Sequence, residues 1–148
     1  MSPLILSPSG APQHILPPGL HRMALREFRA QFVTNACRSW IYDGFINACR
    51  SLHQAGCKRI FVGGSFVTSK EEPGDFDACW DPVGVLPSLD RIIYDESCRV
   101  ERRQIYRGDL LIGGVDSVHY KFLARDKITG EERGMVGIQL RAVDLLNS

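Results

Sequence analysis

Two short apolar runs, CKRIFVGG (57–64) and DFDACWD (75–81), flank the polar stretch SFVTSKEEPG. β-Branched and aromatic residues fill both runs and Gly or Pro closes each, a pattern that predicts two buried strands. The link, with Lys70, Glu71, Glu72, Pro73 and Gly74, has the composition of a hairpin-like or short helical connection between neighbouring strands. Side chains two apart on a strand share a face, so Asp75 and Asp77 are expected within a few ångströms of each other. Two desolvated like charges repel unless a cation lies between them, and paired carboxylates call for an oxygen-seeking divalent ion, most naturally Mg2+.

Gly63, Gly64 and Ser65 follow the first strand. Glycine lets backbone approach closely, and a serine hydroxyl at such a turn can donate to phosphate oxygens. If the strands are adjacent, the turn and the aspartates face one pocket, with phosphate donors on one wall and a metal site on the other. That arrangement suits transfer of a nucleotide from a triphosphate.

Around this unit the periodicity changes. Leu25, Phe28, Phe32, Ala36, Trp40, Ile41, Phe45, Ala48 and Leu52 recur at three- and four-residue intervals, which predicts one or two helices with a break at Thr34 or Asn35 and an end at Gly56. SLDRIIYDE is expected to be a short helix with Ser88 as a cap, and a third strand is expected around Ile105–Ile112. DSVHYKFLARD fits a helix capped by Asp116 or Ser117, or a strand. MVGIQL fits a last strand, and the tail from Arg141 has no clear reading. The fold class is therefore α/β (α+β), with a small mixed sheet against N-terminal helices.

A chain of 148 residues has room for one core. A proline-rich arm, 1–20, is expected to precede a single domain, 21–148, and either to move freely or to lie on it through Leu16 and Leu20. The net charge of +1 gives no global reason for a nucleic-acid or membrane partner, and no stretch has the length and apolarity of a membrane span. The 5 cysteines are dispersed, without zinc-ligand spacing, and suit a reducing cytoplasm.

GGSFVTSKEEPGDFDACW resembles the signature of the DNA polymerase beta-like nucleotidyltransferase superfamily, in which a strand, Gly-Ser, a short helix or loop and Asp-x-Asp on the next strand follow one another. Together with LPPGLHRMALREFRAQFV and RDKITGEERGMVGIQL, it also resembles a family of small bacterial proteins of unknown function assigned to that superfamily. The resemblance implies a nucleotidyltransferase-like fold in which Asp75 and Asp77 hold Mg2+, Gly64 and Ser65 hold phosphates, and a third carboxylate completes the metal site or serves as base. Asp109 in YRGDLLIG is the first candidate for that carboxylate and Asp116 the second. Between Ser65 and Asp75 the chain departs from the superfamily in offering Lys70 as its one base. Arg103 and Arg107, in CRVERRQIYRG, are further candidates for binding nucleotide. The implied activity is transfer of an NMP group from an NTP to tRNA or protein, as in toxins of toxin–antitoxin pairs, with an antitoxin partner and a homodimer as further expectations. The alternative is an inactive nucleotidyltransferase fold that binds without chemistry.

Overall fold

A computed structural model describes residues 4–10 and 12–148; residues 1–3 and 11 of the arm lie outside the described residues. The break at Asn35 separates α1 (Leu25–Phe32) from α2 (Ala36–Gln54), and the Asn35 side chain accepts a hydrogen bond from the Arg38 amide at 2.9 Å. Leu25, Phe28 and Phe32 of α1 and Ile41, Phe45, Ala48 and Leu52 of α2 turn inward, whereas Ala36 and Trp40, expected on the same apolar face, are exposed at the start of α2.

Both strands expected around the polar link form: β2 (Arg59–Gly63) and β3 (Phe76–Trp80) pair antiparallel, with Gly63 opposite Asp77. The link begins with a single 3-10 turn, Ser65–Val67. β4 (Gly108–Ile112) runs parallel to β3 and sets Asp109 beside Asp77. β5 (Met135–Gln139) pairs antiparallel with the other edge of β2, and β1 (Leu20–Arg22) pairs parallel with β5. The resulting mixed sheet has the order β1-β5-β2-β3-β4.

One sheet face and the helices enclose the main core. Phe45 meets Phe76 edge-on with ring centroids 5.1 Å apart, and Phe28 packs on Phe45 and Phe66. Each buried ring or aliphatic side chain contributes on the order of 1.5–3 kcal/mol. On the opposite face Phe61, Cys79 and Met135 pack under Tyr120 and Leu123 of α5 (Val118–Leu123), whose N-terminus is capped by the Ser117 hydroxyl. This second face carries Asp77 and Asp109.

Several elements differ from expectation. Ile105 belongs to α4 (Arg99–Tyr106), so the third strand starts later than its apolar content suggests. The helical period of α4 is hidden because its buried positions are Arg102 and Tyr106. α3 (Arg91–Tyr94) is capped by Asp90, which accepts from the Ile92 amide at 3.1 Å, and not by Ser88. The tail forms α6 (Ala142–Leu146), lying against α1 and α2. The proline-rich arm lies on the domain: Ile15 and Leu16 are buried, the His14 carbonyl accepts from the Ser69 amide at 2.9 Å, and the Leu16 carbonyl accepts from Gly134 at 3.0 Å. No helix among the described residues is long and apolar enough to cross a membrane.

Candidate functional site

The site is built where β2 ends and β3 begins. Gly64 leaves β2 with φ 69° and ψ −166°, a backbone that side-chain-bearing residues avoid. A Cβ at Gly64 would sit 2.6 Å from Asp77 Oδ2. The glycine therefore lets the turn close directly over the Asp77 carboxylate, and Ser65 follows at the start of the 3-10 turn. Thr68 hydrogen-bonds the Ser65 carbonyl through its amide and hydroxyl, and the Ser65 hydroxyl has no protein partner among the described residues. Arg38, buried in the helix layer, donates to the carbonyls of Phe32, Phe66, Thr68 and Lys70 and so fixes the course of the link.

Asp75 directly precedes β3 and Asp77 lies within it; both are partly buried. Neither carboxylate makes a side-chain hydrogen bond or ion pair among the described residues. Burial, followed by the charge of Asp75, pushes Asp77 up to about 6. Burial also raises Asp75, against the opposing pull of Arg103, Lys127 and Lys70. The pair is thus held at an energetic cost with no counter-ion in contact.

Asp109 shares their sheet face but has another role. Its carboxylate meets Arg99 at 3.2 Å, the fully buried Arg102 at 3.4 Å and Arg103 at 3.6 Å, all from α4. Arg102 also donates to the carbonyls of Ile92, Ile93 and Asp95. Asp109 is the counter-ion that docks α4 on β4, which engages the oxygens a third metal ligand would offer. Among the described residues no group of three His, Cys, Asp or Glu side chains is arranged to hold a metal. The donor set that remains, Asp75 and Asp77, fits Mg2+, which takes one or two carboxylates and completes its shell with water and phosphate oxygens.

The other sequence candidates divide. Lys70 and Arg103 lie close enough to act on Asp75, and Arg103 also acts on Asp77. Arg107 is turned away: it adopts a left-handed backbone (φ 67°) at the end of α4, stacks 4.1 Å over the Trp40 ring and donates to the Trp40 carbonyl, on the helix side of the sheet. Asp116 occupies the exposed turn before α5 and is not among the charges acting on the pair.

Sequence reading missed Lys127 and Arg133. Asp126 accepts from the amides of Ile128 and Thr129, both at 2.9 Å, and pairs with buried Arg133 at 3.5 Å. The loop so shaped brings the Lys127 ammonium into range of both aspartates and 5.6 Å above the exposed Phe122 ring. Arg133 acts electrostatically on Asp77, and its Nε is buried without a partner. The Asp-x-x-Thr-Gly turn composition was visible, but nothing in it says which way the loop folds.

Residues 8–139 match the profile of DUF6932, described as a family of unknown function. The chain belongs to DUF6932. The match spans β1 to β5 and includes both aspartates, the Gly64–Ser65 turn and the Lys127 loop. No curated protein and no solved structure matches the chain.

Proposed function

We propose that the protein is a magnesium-dependent nucleotidyltransferase that moves an NMP group from an NTP to a hydroxyl of an RNA, such as tRNA, or of a protein. The observation that carries this reading is a partly buried carboxylate pair with no counter-ion in contact, set under a Gly-Ser turn whose hydroxyl is free. Mg2+ held by Asp75 and Asp77 would neutralise the pair and draw the phosphate oxygens to it. The Ser65 hydroxyl donates to the outer phosphates, and Lys127, Arg103 and Lys70 supply positive charge around them. The acceptor oxygen bonds to the α-phosphorus as the bond to the bridging oxygen breaks, and pyrophosphate leaves. The hydroxyl proton passes to Asp75, the less deeply buried of the pair, because Asp109 is engaged by arginines.

The test is incubation of the protein with each labelled NTP, Mg2+ and bacterial RNA or lysate, with Asp75→Asn and Asp77→Asn in parallel. Label transferred by the wild type and lost in both variants supports the reading; equal transfer by Asp77→Asn removes it. A second reading, a nucleotide-binding module without chemistry, is favoured by the engagement of Asp109. It expects NTP and Mg2+ together to raise the melting temperature beyond either alone, with no label transferred. The five free cysteines, four of them buried, suit a reducing cytoplasm as the working compartment.

A further inference from the structure

The second face of the sheet does not end at the aspartates. At the opposite end of β2 a cavity of about 480 Å³ opens over the same face, within the size range of small-molecule sites. Its floor is set by register: Gly137 of β5 lies between Arg22 of β1 and Phe61 of β2, and Arg59 faces Gln139 two pairs further along, on the same face. Gly137 contributes no side chain, so the row is low in the middle and high at Arg22. Lys58 and Arg141, which flank β2 and β5, complete the cationic rim.

Four cations and two carboxylates, Glu27 and Asp144, line the cavity. Glu27 accepts from the Ala24 amide at 3.1 Å, and with Asp144 it offsets two of the four positive charges. Arg59 leans on Asp81 at 3.4 Å, and Arg141 donates to the neutral Gln139 at 2.9 Å, which leaves its charge uncompensated. Arg22 and Lys58 make no side-chain hydrogen bond or ion pair among the described residues. The positive charge that remains suits an anion, and guanidinium groups match the oxygens of phosphate in geometry as well as charge.

We propose that this cavity is a second binding site, for the phosphate group of a small phosphorylated molecule. It is distinct from the carboxylate site: none of its four cations is among the charges acting on Asp75 or Asp77, and the four-residue length of strand from Arg59 to Gly63 separates the two by roughly 13 Å. Its occupancy requires neither Mg2+ nor the aspartates.

The experiment is calorimetric titration with inorganic pyrophosphate in EDTA-containing buffer at fixed ionic strength, with acetate as control. Three proteins are compared: wild type, Arg22→Gln/Arg141→Gln and Asp75→Asn/Asp77→Asn. Wild type and the aspartate variant are both expected to bind pyrophosphate, and the arginine variant to bind it about tenfold or more weakly than the wild type, as for loss of charged hydrogen bonds. If circular dichroism shows the arginine variant misfolded, Lys58→Gln, on an exposed side chain, gives the same comparison. Equal binding by wild type and the cation-lacking variant, loss in the aspartate variant instead, or no preference over acetate would each overturn the site. So would tight binding of a single-stranded RNA oligonucleotide through these residues with none of pyrophosphate, which would make the groove a nucleic-acid surface.

Discussion

Asp77 is a carboxylate whose folded environment opposes its charge. A carboxyl raised from 3.8 to about 6 binds its proton more tightly in the folded chain than in the unfolded one, so the contribution of Asp77 to stability is largest below about pH 4 and is lost as pH rises through about 6. Asp77→Asn removes this burden: in metal-free urea denaturation it is expected to stabilise the protein by on the order of 2 kcal/mol at pH 8 and by little at pH 4. Saturating Mg2+ should raise the stability of the wild type and not that of the variant. Gly64→Ala tests the other wall. With φ at 69° and the Asp77 oxygen in the way, it should cost about 1–3 kcal/mol in the same assay and weaken Mg2+ binding. Asp75, Asp77, Gly64 and Ser65 were legible because two-residue alternation and a glycine turn are local facts. Lys127 was not, since its position follows from the Asp126–Arg133 contact across a folded loop.

At the scale of elements, α4 and β4 are joined through one buried carboxylate. Asp109→Ala would leave Arg102, fully buried, with its carbonyl partners but no counter-charge, a change that costs roughly 3–5 kcal/mol in comparable buried pairs. Thermal unfolding should report that loss. The sequence exposed the α1–α2 break through Asn35 and the strand pair through its turn. It concealed α4, whose inward positions are arginine and tyrosine, and β1, three residues placed just after Pro17, Pro18 and Gly19. Neither apolar periodicity nor strand propensity can detect an element whose buried side is polar or whose length is one hydrogen-bonded repeat.

For the whole molecule, the arm is part of the fold. Removing residues 1–18 takes away Ile15 and Leu16, each nearly fully buried, and is expected to lower stability by about 3–6 kcal/mol, read as a shifted urea midpoint. The sheet order carries a different consequence. β5, next to last in the chain, occupies the place between β1 and β2, which meet it from opposite sides. Until it is translated, β1 has no neighbour, and one edge of β2 stays open with its backbone donors and acceptors unpaired. On the ribosome the sheet therefore stays half-closed, and its open edge is exposed to aggregation until β5 itself has left the exit tunnel.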